Sequence, residues 1–322
     1  MRLTRPVRSE AWIRDRHQVI SRDTIADHIL QALGQPVTKI EPVHKGTVHI
    51  VFRASVGDRN VYIKIATKGR SMLAEVQALE LVTKQQILVP PIIHYGHVDD
   101  HADVSCLIMG RLSGENIAHF PASRKNDVYE AAGTLLRQIH KISVDGFGRL
   151  SFHQSEYSSW VDLLTHQMLT DIAQLNNTGL LKRDENAALQ RVIDDASSRK
   201  MLVVRTPRLL HMDLQSNHIF AGEDDQIGFL DFHKASGGDP LFDLVMFSCY
   251  EGSQALSSLL RGYTSAMEPI EQKHFDLRFR QIAPFYRISF ALDKMAWRAV
   301  PLPGISILRL IGDYEQNLHP TS

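Results

Sequence analysis

Two short apolar runs, each delivering an aspartate, constrain this chain more than anything else in it. The first is Leu209-Leu210-His211-Met212-Asp213-Leu214-Gln215-Ser216-Asn217-His218-Ile219-Phe220, and the second is Ile227-Gly228-Phe229-Leu230-Asp231-Phe232-His233. The polar stretch Gly222 to Gln226 separates them, which is the pattern of a β-hairpin with acids at its mouth. Asp213 and Asp231 lie 18 positions apart (231 − 213), so one carboxylate can meet a substrate proton while the other meets a cation. Phosphoryl transfer needs that division of labour: a carboxylate must face the attacking hydroxyl while metal-binding groups hold the nucleotide phosphates.

The rest of the chain narrows the setting. At 322 residues and 43% apolar content it can bury two cores, so two lobes are expected. Lys plus Arg equals Asp plus Glu, 36 against 36, and no basic stretch clusters, so neither nucleic acid nor a membrane is expected as a partner. The arginine-rich N-terminus has no apolar segment of signal-peptide length, and no run is long enough to span a bilayer. Cys106 and Cys249 both sit in apolar runs and read as reduced core thiols of a cytoplasmic protein, acting as a monomer or weak homodimer.

In chain order, Asp23 begins a helix with apolar positions at the 3.6 period, stopped by Gly34. Strands follow at Ile40 to Val43, Val48 to Ala54 and Val61 to Ala66, with His44-Lys45-Gly46-Thr47 breaking the first two. A hairpin tip of that kind, with Gly46 and Thr47, can offer backbone N–H groups to phosphates. Lys64 sits mid-strand, where alternation allows a place on the solvent face of an edge strand. Ser71 opens a helix in which Met72, Glu75, Leu79 and Val82 share one face, so Glu75 is an acid on an apolar stripe that requires a cation. Two more strands, Ile92 to Gly96 and Val104 to Met109, lead to Met109-Gly110-Arg111-Leu112-Ser113-Gly114, and beyond it the chain is mainly helical, with Pro269 and Pro284 at expected helix starts.

His-x-Asp-x-x-x-x-His over 211–218, Leu-Asp-Phe at 230–232 and Gly238-Asp239-Pro240-x-x-Asp243-Leu244 together resemble the aminoglycoside phosphotransferase and small-molecule kinase family, relatives of the protein kinases. The resemblance implies an α+β, bilobal kinase-like fold: residues 1–110 as a small antiparallel-sheet nucleotide-binding lobe, 111–322 as a larger helical lobe with the acceptor pocket. It implies transfer of the γ-phosphoryl group of ATP or GTP, with Mg²⁺, to a hydroxyl of a small molecule, and a role in antibiotic resistance through an aminoglycoside or related acceptor. A sugar, an amino alcohol or a biosynthetic intermediate is the alternative acceptor.

By the same resemblance Asp213 faces the acceptor hydroxyl, Lys64 and Glu75 form the pair that orients a lysine onto the phosphates, and Gly46, Thr47 and Met109 touch the nucleotide, Met109 through the linker backbone. Asp231 falls at the magnesium-binding aspartate. The second metal ligand is His218 or, one place earlier, Asn217, with the register of Ile219-Phe220 favouring His218. His211 holds the catalytic loop, and Asp239 and Asp243 support loop and helix start. Glu251 and Asp293 are the first acids to test as contacts to a cationic acceptor. Two other readings compete: a non-catalytic nucleotide-binding pseudokinase, since Met212 and His218 depart from the commonest motif, and a metal-dependent hydrolase built on the His211, Asp213, His218, Asp231, His233 cluster.

Overall fold

The structure, a computed structural model, describes residues 21–43, 49–66, 71–98, 101–150, 157–198, 202–222 and 226–318. The hairpin tip with Gly46 and Thr47 lies outside them.

Alternating apolar residues make the first lobe a single antiparallel sheet. Its strands are β1 (Val37–Pro42), β2 (Ile50–Val56), β3 (Arg59–Ile65), β4 (Ile92–Val98) and β5 (His101–Gly110), in the order β1-β2-β3-β5-β4. The period of two sends Val61, Ile63 and Ile65 of β3 to one face, where they join Phe52, Ala54, Cys106 and Ile108 under helix α1 (Arg22–Leu33). Ser21 caps that helix by accepting the Thr24 N–H at 3.0 Å, and Gly34, at φ 64°, ends it. The other face of the sheet receives helix α2 (Leu73–Thr83), whose Val76, Leu79 and Val82 belong to a core continuous with the helical lobe.

The second lobe packs α3 (Ala122–Ile139), α4 (Trp160–Asn177), α5 (Arg183–Ser198), α6 (Pro240–Thr264), α7 (Pro269–Arg298) and α8 (Ile307–Leu318) around one large core. Where α3 crosses α6 the backbones nearly touch. A Cβ on Gly133 would lie 2.0 Å from the Leu259 carbonyl oxygen, and one on Gly262 would lie 1.7 Å from that of Glu130. Only glycine fits that crossing. Between helices run short strands: β6 (Glu115–Asn116), β7 (Gly148–Arg149), β8 (Arg208–Leu210), β9 (Ile219–Ala221), β10 (Ile227–Phe229) and β11 (Ser236–Gly238). β9 and β10 pair antiparallel, Ile219 opposite Phe229, so the two aspartate-bearing runs are indeed joined as a hairpin.

Met109 lies near the end of β5, opposite Tyr62 and Ile92, in the strand expected there. Two local expectations are corrected. Pro284 lies inside α7 and starts nothing; the lost backbone donor is tolerated because Ile282, Phe285, Tyr286 and Ile288 bury the same stretch in the core. Cys106 is buried, but Cys249 is at the surface.

Candidate active site

The site lies where the sheet meets the helical lobe, and Lys64 anchors it. β3 is an interior strand, with Lys64 opposite Val51 on one side and Leu107 on the other, so its side chain turns beneath α2 and is buried. There its Nζ donates to both oxygens of Glu75, at 2.9 and 2.7 Å, and to Asp231 Oδ1 at 2.5 Å. Burial alone would favour loss of the Lys64 proton, but the two carboxylates outweigh it and hold the pKa above its ordinary value. Thus the edge-strand reading of Lys64 fails, and the acid on the α2 stripe has its cation.

Asp231 follows β10 in a left-handed conformation, φ 70°. Its Oδ1 also meets His233 Nδ1 at 2.8 Å, and burial, which would raise its pKa, is overcome by Lys64 and His233, so the carboxyl stays well below the ordinary range. The buried Nε2 of His233 has no hydrogen-bond partner among the described residues.

The catalytic stretch leaves β8 and is held from below by Asp243, in the first turn of α6. Asp243 Oδ2 accepts from the His211 N–H at 2.6 Å, and Oδ1 accepts from the Met212 N–H at 2.8 Å. These two bonds fix Met212 at φ 63°, a conformation costly for a side chain of that size. The His211 ring ties this loop to the other. Nε2 donates to the Leu230 carbonyl at 3.0 Å, leaving Nδ1 to accept the Asp213 N–H at 3.3 Å. The ring is therefore neutral, consistent with burial and the neighbouring His218 pushing its pKa down to about 4.

His218 donates from Nδ1 to the Asp213 carbonyl at 2.7 Å, so its Nε2 lone pair points outward, 3.6 Å from Asp231 Oδ2. An imidazole nitrogen and a carboxylate oxygen facing each other at that distance are two acceptors with a place for a cation between them. The separation is close to the roughly 3 Å between adjacent ligands of a six-coordinate Mg²⁺. Asn217 is exposed, and it is His218 that reaches Asp231. Among the described residues no three His, Cys, Asp or Glu side chains gather as a metal site, whereas a catalytic zinc takes three protein ligands.

Asp213 has partners of its own. Tyr250 donates to its Oδ1 at 2.9 Å, and Lys234 Nζ lies 3.5 Å from the same oxygen. Both contacts go to Oδ1, which leaves Oδ2 as the oxygen to face an acceptor. Burial would raise the Asp213 pKa, but Lys234, His218 and Lys294 bring it down to about 2, so the carboxylate is ionised at any ordinary pH.

Glu251 has both carboxylate oxygens engaged. Its Oε1 accepts from the Ser216 N–H at 2.6 Å and its Oε2 from the Tyr129 hydroxyl at 3.1 Å, while Tyr129 and Ser216 share a hydrogen bond of 2.7 Å. The carboxylate is used to pin the catalytic loop. It reaches that loop because α6 breaks at the next residue, Gly252, with φ 88° and ψ 174°. Asp293 is nearer the mouth, 3.7 Å from Lys294. Sequence reasoning missed Tyr250, Lys234 and Lys294. Of these, only Lys234 carried a signal, its closeness in sequence to Asp231.

Residues 39–273 match the model of the phosphotransferase enzyme family. No curated protein sequence matches the chain. Among solved structures, a provisionally assigned fructosamine-3-kinase from Thermobifida fusca YX-ER1 is similar at TM-score 0.67 and 17% identity, covering 92% of this chain and 99% of that one. Aminoglycoside phosphotransferase APH(4)-Ia, in a ternary complex with ADP and hygromycin B, is similar at TM-score 0.66 and 13% identity, over 93% of this chain and 99% of that one. Aminoglycoside phosphotransferase APH(2'')-Ib, ADP-bound, follows at TM-score 0.59 and 15% identity, over 93% and 97%. At such identities the likeness is one of fold.

Proposed function

The chain belongs to the phosphotransferase enzyme family, and from that premise we propose that it moves the γ-phosphoryl group of a nucleoside triphosphate to a hydroxyl of a small molecule. The observation that carries the reading is the convergence of Lys64, Glu75 and Asp231 next to the loop that bears Asp213, the two joined through the His211 ring. In this reading residues 1–110 form the nucleotide-binding lobe and 111–322 hold the acceptor.

Each side chain then has a task that its surroundings fit. Glu75 fixes Lys64, whose ammonium neutralises nucleotide phosphate oxygens. Asp231 and His218 would hold Mg²⁺, which supplies charge neutralisation to the phosphates when bound. Asp213 Oδ2 orients the acceptor hydroxyl and takes its proton as the new O–P bond forms and the bond from the γ-phosphorus to the bridging oxygen breaks, releasing the nucleoside diphosphate, while Tyr250 and Lys234 hold the carboxylate still through Oδ1. His211, Asp243 and Glu251 keep the loop in place. The His211–Leu230 bond couples the two aspartates, so the base and the phosphate-side acid move together. This use of every conspicuous group speaks against a pseudokinase.

The test is nucleotide binding followed by turnover. The protein should bind Mg·ATP or Mg·GTP, and Asp231→Ala should lower that affinity by about tenfold or more only when Mg²⁺ is present. Metal-independent binding that the substitution leaves unchanged would remove Asp231 from its assigned role. The aminoglycoside form of the acceptor loses support here, since one of the two acids offered to it, Glu251, is occupied by the catalytic loop.

A further inference from the structure

Two lysines stand around Asp213, with Asp293 beside the second. Lys234, three residues past Asp231, places its ammonium 3.5 Å from Asp213 Oδ1. Lys294 comes from the distant helix α7 and stands over two aromatic faces, 5.2 Å from the ring centroids of both Tyr250 and Phe290. Those rings meet edge to face at 5.2 Å, forming a floor that continues from the hydroxyl bonded to Asp213.

Lys294 is the unusual member. Its side chain is only 12% exposed, yet its nearest carboxylate is Asp293 at 3.7 Å, too long for a hydrogen bond. Burial and the neighbouring Lys234 lower its pKa, so two ammonium groups stand close enough to disfavour each other's charge. Like charges brought together in a half-desolvated cleft are unfavourable unless an anion comes between them. A polycation entering this mouth would meet both ammoniums.

Resting on the phosphotransferase reading, the geometry points to an acceptor that carries an anionic group, a carboxylate or a phosphate, beside its hydroxyl, with Lys294 and Lys234 binding that group and the Tyr250–Phe290 floor lying beneath its carbon skeleton. The anion could in principle belong instead to the transferring phosphoryl group. The contacts of Lys294 favour the acceptor: they are with Tyr250, Phe290, Asp293 and Lys234, and none is with Lys64, Glu75 or Asp231.

The experiment is calorimetric titration of the full chain, with and without Mg·ADP, by matched hydroxylated probes: gluconate and 6-phosphogluconate, glucose, and kanamycin. The expected result is saturable binding of an anionic probe, tighter than either other class, with Kd in about the millimolar range or below. Lys294→Ala should weaken it by about tenfold or more while Mg·ADP affinity stays within about twofold, a loss in keeping with one charge-assisted contact. Lys294→Arg should restore part of it. Kanamycin binding more tightly than both anions, no saturation by either anion, or anion affinity unchanged in Lys294→Ala would each overturn the inference. So would a Lys294→Ala loss confined to AMP-PNP, which would assign the ammoniums to the γ-phosphate. Because the probes are also titrated without nucleotide, failure of Mg·ADP to bind would refute the phosphotransferase reading separately from the result for the anion.

Discussion

The two aspartates sit in contrasting surroundings, though one imidazole, His211, joins their loops. Asp231 is closed in by Lys64, His233 and His218, and with Glu75 it makes a buried cluster in which the lysine's charge is matched within hydrogen-bond distance. Asp213 meets Tyr250 at 2.9 Å and Lys234 at 3.5 Å, and Lys294 has Asp293 at 3.7 Å. The first arrangement holds one lysine tightly between two carboxylates and presents His218 and Asp231 to a cation, as suits phosphates common to every nucleotide. The second pairs its lysines loosely, so both can turn to a bound anion, and the specificity of this protein is to be sought around Asp213.

The sharpest way to break that contrast is to remove Asp213. Asp213→Ala should lower turnover by about three orders of magnitude, the range of a lost general base, with nucleotide affinity within about twofold. Turnover that survives would mean that Asp213 is not the group facing the acceptor.

On the phosphate side the largest effect should be on stability. Glu75→Ala leaves Lys64 buried with Asp231 as its one remaining counterion, and should cost about 3 kcal/mol in urea unfolding, the scale of a broken buried pair. Lys234→Ala, on a side chain 38% exposed, should leave the unfolding midpoint almost unchanged. Equal losses in both variants would erase the distinction between a closed and an open cluster.

The residue between the two aspartates supplies a pH test. His211 has an ordinary pKa of 6.5 brought down to about 4 in the fold. Between those values the unfolded chain binds a proton that the folded chain refuses. Stability therefore rises with pH across this window and is lost as pH falls from about 6.5 towards 4. The full change is on the order of 3 kcal/mol. Urea midpoints at pH 7 and pH 5 would show it, and His211→Gln should flatten the slope. An unaltered slope in that variant would place the titration elsewhere.

What could be read from the sequence follows the reach of its periodicities. The helical stripe of α2 marked Glu75 as an acid in need of a cation, while alternation in β3 left Lys64 open to a solvent face and the family resemblance paired the two; the two apolar runs gave the hairpin that carries the aspartates. The helical lobe was harder. Tyr250 reaches Asp213 across 37 residues, and Lys294 arrives from another helix again; periodicity says which face of a helix is apolar but not which neighbour that face meets. Glu251 was offered to a cationic acceptor, and its hold on the catalytic loop was not legible because it depends on one glycine, Gly252, breaking α6. Pro284 looked like a helix start because the core that carries α7 through it is made of contacts invisible at that range.

The smallest effect concerns the one neutral partner of Asp213. Tyr250 differs from the lysines in that its hydroxyl donates a single well-formed bond, at 2.9 Å, and burial together with Asp213 raises its pKa, so it remains a donor at all working pH values. Tyr250→Phe keeps the ring under Lys294 and deletes only that bond. If the hydroxyl positions the carboxylate, kcat should fall by about tenfold, near the 1.5 kcal/mol of a hydrogen bond to a charged group, while KM for the acceptor shifts by less than about threefold. If the tyrosine served only as floor, Phe would behave as the parent. A rise in KM with kcat unchanged would instead make the hydroxyl a contact to the acceptor, and would move the boundary between positioning and recognition one residue closer to the base.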